Sequence, residues 1–156
     1  MKNKKNIPKD GSFDHLNFEE VIDPLKADKI ISSTQMKGWE EVSEVKQFPN
    51  RITKKVIPID FTHYKMAIIT KVEPNVLVDT HMHEEPVFRY VIEGEFELNG
   101  IRHKPGDWIL VPGNTPYRVI SEIGYTVLAE YGGKCGSPPD IVIGHINDSN
   151  NGGLNQ

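Results

Sequence analysis

Residues 87–111 read VFRYVIEGEFELNGIRHKPGDWILV, and this stretch gives the clearest indication of the fold. Short runs rich in β-branched and aromatic residues are separated by turn signals, among them Glu93-Gly94 and Asn99-Gly100. An Asn-Gly pair between two β-like runs is a strong hairpin signal, and here it joins Glu95–Leu98 to Ile101–Lys104. The stretch therefore predicts a series of short antiparallel strands.

The same pattern continues on both sides of this stretch. Many short strands with regular turns are typical of a β-sandwich or barrel, so we predict an all-β fold with a short helix at most. The predicted strands are Trp39–Val45, Arg51–Ile59, Tyr64–Val72, Val76–His83, Val87–Ile92, Glu95–Leu98, Ile101–Lys104, Trp108–Val111, Tyr117–Ile120 and Tyr125–Tyr131, and Ile141–Ile143 is a candidate for one more.

The chain is expected to hold one domain. Residues 31–146 form the predicted β-barrel, residues 1–30 an N-terminal extension that is partly flexible, and residues 147–156 a polar tail that we expect to be disordered. Apolar residues at helical spacing within 17–30 indicate a short helix there. Pro24 interrupts this stripe, so extended chain should follow.

Composition excludes several classes of function. The 156 residues carry 18 Lys and Arg against 22 Asp and Glu, a net charge of −4, which is unfavourable for binding nucleic acid. Apolar runs are far shorter than the roughly 20 residues of a membrane span, and the N-terminus lacks the apolar core of a secretory signal. Cys135 is the single cysteine, so no internal disulfide can form. We therefore expect a cytoplasmic protein whose partner is a small molecule.

The candidate chemistry begins at His81-Met82-His83. Residues two apart on a strand point to the same face, so the two imidazoles can converge on one point. Such convergence suits a transition-metal ion. Two unrelated polar residues at a strand end are the alternative, because this pattern often arises by chance.

The stretch from His81 to Pro116 resembles the cupin superfamily. His81, His83 and Gly94 match the first cupin motif, and Gly106 and Pro112 match the second. Asn114 replaces the second glycine of that motif, and asparagine tolerates positive φ better than most residues. The resemblance implies a double-stranded β-helix, the jelly roll of cupins, with a metal site inside the barrel.

The chain departs from the cupin pattern at two metal ligands. Val87 lies where the family has a glutamate, and Tyr117 lies where it has the last histidine. We predict a site of His81 and His83 with help from Glu85, Tyr117 or water. Iron is the expected metal, and zinc, nickel, manganese or no metal are the alternatives. A third histidine, His63 or His103, is the least favoured source of a further ligand because both lie on segments expected to be peripheral.

Arg89 is the second unusual residue, because it shares one strand face with Val87 and Val91. If that face points inward, the guanidinium is buried and needs a partner. It can grip an anionic group of a substrate. Alternatively it forms a structural ion pair, and Glu130 is the expected partner.

The resemblance leaves three functions open. Together with Gly38-Trp39-Glu40, it points to the branch of ChrR-like cupins and acetylacetone-type dioxygenases. It thus implies an oxidoreductase with a non-haem metal, in which Tyr117 and Arg89 contact a diketone-like or anionic substrate. The alternatives are a binding or sensing barrel with a degenerate metal site, and a metal-independent isomerase that uses histidine and Tyr117 as base and acid. Because many cupins pair, the resemblance also implies a homodimer.

Overall fold

A computed structural model of the protein describes residues 4–6, 20–40, 44–45, 51–134 and 142–146. These residues form short strands and one turn of 3₁₀ helix, Ser33–Gln35. Trp39 and Glu40 are helical, so the predicted strand Trp39–Val45 is wrong at its start. The strands are β1 Lys4–Asn6, β2 Glu20–Ile22, β3 Ile31–Ser32, β4 Glu44–Val45, β5 Lys54–Lys55, β6 Met66–Val72, β7 Val76–His81, β8 Val87–Gly94, β9 Phe96–Leu98, β10 Ile101–His103, β11 Trp108–Val111, β12 Tyr117–Ser121, β13 Tyr125–Tyr131 and β14 Ile143–His145.

Two five-stranded antiparallel sheets pack face to face. One has the order β10-β9-β12-β7-β14, and the other has the order β3-β11-β8-β13-β6. Apolar side chains from both sheets fill the space between them, including Leu98 and Val119 from the first sheet and Val91 and Val127 from the second. The predicted all-β jelly roll is confirmed.

The hairpin predicted at Asn99-Gly100 joins β9 to β10, with Leu98 opposite Ile101. Asn99 has φ +49° and Gly100 has φ +82°. Positive φ at both central residues is the requirement of the tight turn that an Asn-Gly pair favours.

A second core lies on the outer face of the sheet that contains β8 and β11. Phe88 and Trp108 pack there against Ile22 and Ile59, which come from the chain before β6. All four residues of β11 are buried because both faces of this strand are covered. This explains why Trp108–Val111 is a continuous apolar run and does not alternate.

The N-terminal part of the described chain differs from the prediction. The described residues 20–30 hold strand β2 and a turn, with no helix; Asn17 and Phe18 lie outside the described residues. Ile22 bonds through its backbone with Pro58 and Asp60, and this pairing favours extended chain over a helix. No helix within the described ranges is both long enough and apolar enough to cross a membrane.

Candidate functional site

His81 and His83 lie at the end of β7, beside the start of β12. The pairing of these strands sets Tyr117 directly opposite His81. The ring centroids of His81 and His83 are 5.4 Å apart, and those of His81 and Tyr117 are 4.4 Å apart. The structure therefore brings together three of the residues that the sequence singled out.

A tight turn after β11 holds the backbone of this region. The amide of Asn114 donates a hydrogen bond to the carbonyl of His83 at 2.7 Å. Asn114 has φ +55°, so its exchange for the usual glycine is accommodated as expected. A Cβ on Gly113 would lie 2.5 Å from the carbonyl oxygen of Glu84, so only glycine permits this close approach.

Arg89 reaches the same point from β8. Its Nη2 donates a hydrogen bond to the Tyr117 hydroxyl at 2.9 Å, and its Cζ lies 5.3 Å from the centroid of the Tyr117 ring. Its Nη1 is buried and has no hydrogen-bond partner among the described residues. One half of the guanidinium is thus satisfied by Tyr117, and the other half lacks an acceptor among the described residues.

Glu130 is not the partner of Arg89, contrary to the structural alternative. On β13 it pairs with Phe88, whereas Ala129 is the residue opposite Arg89. Glu130 therefore lies on the outer face of the sheet, near Tyr64, and burial raises its pKa. The prediction chose the correct strand and the wrong face.

Tyr117 also links Arg89 to His83, because His83 Nε2 lies 3.0 Å from the Tyr117 hydroxyl. Burial, with the nearby charges of Arg89 and His81, lowers the pKa of His83 to about 4. The imidazole is therefore neutral at pH 7. Since the guanidinium can only donate, the hydroxyl accepts from Arg89, and its own proton can be donated to His83 Nε2 in the tautomer that carries its proton on Nδ1.

His81 is held by a different bond. Its Nδ1 lies 2.8 Å from the backbone carbonyl of Asp79, which can only accept a hydrogen bond. When the ring carries a single proton, that proton is therefore on Nδ1. This tautomer leaves Nε2 as a proton acceptor.

These groups line a cavity between the two sheets with a volume of about 170 Å³. Its polar lining includes the two histidines, Arg89 and Tyr117, together with Tyr125 and Tyr131, which the sequence reasoning missed. Val127 and Leu98 contribute to its apolar wall. No Asp or Glu occurs among the described residues that line it.

The two missed tyrosines follow from the alternation along β13. Val127 and Ala129 are buried, so Tyr125 and Tyr131 share their inward face. Tyr125 packs on Phe96 with ring centroids 4.4 Å apart, and burial raises its pKa to about 12 in spite of the opposing effect of Arg89. Both tyrosines lie an even number of residues from the apolar Val127, and this spacing in the sequence could have identified them as inward-facing.

Glu85 does not join the two histidines. Its Oε2 accepts a hydrogen bond from the amide of Lys134 at 2.9 Å, and the same oxygen lies beside Gly132. Within the described ranges, no group of three or more His, Cys, Asp or Glu side chains is arranged to hold a metal ion. The contacts therefore do not support Glu85 as a substitute ligand.

Neither of the two histidines considered as a third ligand, His63 and His103, is among the described residues that line this cavity. His63 Nε2 is buried beside Gly132. His103 is 1% exposed, although the sequence analysis placed it on a peripheral segment. Its ring packs on Phe96 at the end of β10, where closure of the two sheets buries it.

A firmly held divalent metal ion does not fit the donor set at the histidine pair. Burial raises the pKa of Tyr117 in spite of the opposing charge of Arg89, so its hydroxyl remains a neutral phenol. Burial lowers the pKa of Arg89, but the surrounding tyrosines, Tyr117 first, outweigh this effect and raise it overall, so the guanidinium stays charged. Two imidazoles beside a fixed cation, with no third ligand among the described residues, fall short of the three or more protein ligands that a firmly bound zinc or iron ion normally has.

No protein-family model matches the chain, and no curated protein matches it either. The resemblance to the cupins stays a prediction that rests on the residues of the two motifs.

Proposed function

We propose that the barrel binds a small molecule that carries one anionic group, such as a carboxylate, and an apolar body. The observation that carries this proposal is the buried Nη1 of Arg89, which has no partner among the described residues while Nη2 is engaged by Tyr117. A buried donor without an acceptor costs about 1–3 kcal/mol. A carboxylate oxygen at Nη1 would remove this cost through a charge-assisted hydrogen bond.

The charges around the cavity support an anion as the ligand. The chain has a net charge of −4, yet the described lining of the cavity includes a cation and no carboxylate. In a setting of low dielectric, a fixed guanidinium attracts an anion more strongly than it would in water. A cationic ligand would meet repulsion from Arg89 and find no counter-charge there.

The volume of the cavity limits the size of the ligand. At about 170 Å³ it is close to a cavity of about 150 Å³ that is known to bind benzene. One six-membered ring or a short branched chain therefore fits beside Val127 and Leu98. The proposed ligand is a small monocarboxylate of this size.

Calorimetry with benzoate and benzamide tests the proposal. The two probes have nearly the same shape and differ in charge at the end that would face Arg89. We expect benzoate to bind and benzamide to bind at least tenfold more weakly, since a hydrogen bond to a charged group contributes about 1.5–3 kcal/mol. Equal affinities, or no binding of benzoate at millimolar concentration, would contradict it.

The tautomer of His81 favours a second candidate function, metal-independent proton transfer. Its Nε2 can accept a proton in the tautomer whose Nδ1 donates a hydrogen bond to the backbone carbonyl of Asp79. This atom could remove a proton from a carbon next to a carbonyl, while Arg89 stabilises the negative charge that develops on oxygen. Deuterium exchange at C3 of 2-oxobutanoate, followed by NMR and compared with His81→Gln, tests this candidate. Exchange no faster than in buffer alone would count against it.

The metal-dependent dioxygenase of the sequence analysis is less well supported. Its chemistry needs firm metal ligands, and neither Glu85 nor Tyr117 supplies a suitable anion at the histidine pair. The binding barrel requires only the groups that the cavity brings together.

A further inference from the structure

Strand β6 is an edge strand with exposed apolar residues on both faces. It pairs with β13 on one side, and in the part of the chain that the structure describes no strand lies on its other side. Met66 is 40% exposed and Ile69 is 68% exposed. A long apolar edge of this kind is a template for pairing with another strand.

We propose that β6 pairs in antiparallel fashion with β6 of a second copy of the chain, about a two-fold axis at Ile69. This contact would join the β3-β11-β8-β13-β6 sheets of the two copies into one continuous ten-stranded sheet across the dimer. Thr70 and Val72 of β6 also line the cavity, but the contact uses the free backbone edge of the strand and does not depend on what the cavity binds.

The length of the strand favours this register. Strand β6 runs from Met66 to Val72, and Ile69 is its middle residue. A two-fold axis at Ile69 therefore sets Met66 opposite Val72 of the second copy and pairs all seven residues. The exposed side chain of Ile69 then lies against its own symmetry mate, which buries the most exposed apolar residue of the strand.

The charges that flank the strand select the same register. Lys65 precedes β6 and Glu73 follows it, and both are exposed. A two-fold axis at Ile69 sets Lys65 opposite Glu73 of the second copy, and symmetry repeats this pair at the other end. An axis at Ile68 would instead set Lys65 opposite Lys71, which is unfavourable because like charges repel. Of these two registers, only the one centred on Ile69 pairs opposite charges and engages the whole strand.

Sedimentation velocity over a range of protein concentrations tests the proposal. We expect the wild-type chain to dimerise. Lys65→Glu and Glu73→Lys should each weaken the dimer roughly tenfold, because each variant turns two opposite-charge pairs into two like-charge pairs. An equimolar mixture of the two variants should form a heterodimer of about wild-type affinity, since the facing charges are again opposite.

Lys104→Glu and Glu122→Lys are matched controls. Both positions are exposed and lie outside β6, so these reversals change the net charge equally and should leave the dimer unchanged. A wild-type chain that stays monomeric at 100 μM would overturn the proposal. A dimer that is equally insensitive to reversals at Lys65, Glu73 and the control positions would overturn it too.

Discussion

Arg89 donates from Nη2 to the hydroxyl of Tyr117 at 2.9 Å, and this bond holds the guanidinium inside the cavity. The same hydroxyl lies 3.0 Å from His83 Nε2, so one tyrosine links an arginine on β8 to a histidine just beyond the end of β7. A cation, a phenol and a neutral imidazole are thereby fixed in a row. The predictions that follow test this arrangement and the fold that supports it.

Tyr117→Phe should destabilise the protein by about 1–3 kcal/mol, because Arg89 and His83 would both lose their partner in a buried setting. Urea unfolding measures the change. Tyr131→Phe is the matched control, since it removes a phenolic hydroxyl from the same cavity without breaking the link between Arg89 and His83. Equal destabilisation by the two variants would show that the link does not stabilise the fold.

Gly94→Ala should be strongly destabilising, by more than about 3 kcal/mol. Gly94 has φ +76°, and a Cβ there would lie 2.0 Å from the carbonyl oxygen of Gly124. Gly100 has φ +82° and open space around it, so Gly100→Ala should carry the backbone cost alone, about 1 kcal/mol. Thermal unfolding of the two variants separates backbone strain from steric overlap, and similar losses would contradict the close packing at Gly94.

The stability of the fold should decrease as the pH falls below about 6.5. Burial lowers the pKa of His83 to about 4 and also lowers the pKa of His103, where Asp107 opposes the effect. Between the folded and the unfolded pKa the unfolded chain binds more protons, so acid favours unfolding in this window. From about one pH unit above 6.5, both histidines are essentially neutral in either state and contribute little pH dependence.

His103→Phe isolates part of this effect. Its free energy of unfolding, measured from pH 8 to pH 4.5, should fall less steeply below pH 6.5 than that of the wild-type protein, and the remaining slope should include His83. His103 Nδ1 has no partner among the described residues, so the variant removes a buried unsatisfied atom as well. A slope identical to the wild-type slope would show that His103 titrates alike in both states.

The protein purified without a polyhistidine tag should contain much less than one transition-metal ion per chain. The reason is that the groups beside His81 and His83 are a neutral phenol, Tyr117, and a cation, Arg89, and neither helps to hold a metal ion. Elemental analysis beside a His81→Ala/His83→Ala variant measures this. About one iron per chain, lost in the double variant, would contradict the donor-set argument and restore the dioxygenase prediction.

Local signals in the sequence predicted much of the fold. The Asn99-Gly100 turn, the alternation in β9 and the glycines with positive φ all depend on neighbouring residues, and the structure has the hairpin where they indicate it. The segment before β6 was harder to predict. Its extended conformation at Ile22 depends on contacts with Pro58 and Asp60, which are distant in sequence.

The candidate site was predicted in part for the same reason. His81, His83 and Tyr117 were found through motif spacing, and the inward face of Arg89 through parity. Glu85 was misplaced because the chain bends at Glu84 and Glu85, which breaks the parity argument, and its carboxylate accepts a hydrogen bond from the amide of Lys134 instead. The parity of Val127 and Ala129 marks the inward face of β13, and the pairing with β8, which sets Ala129 opposite Arg89, confirms that Glu130 lies on the other face.

Whether Arg89 binds the anionic group of a small ligand is tested by the affinity of benzoate for the wild-type protein and for Arg89→Met. Arg102→Met, at an exposed position on β10, is the control for loss of one positive charge. We expect Arg89→Met to weaken benzoate binding at least tenfold, because the variant removes a hydrogen bond between charged groups. Arg102→Met should change the affinity less than twofold. Benzoate binding of full strength in a folded Arg89→Met variant would contradict this role of Arg89.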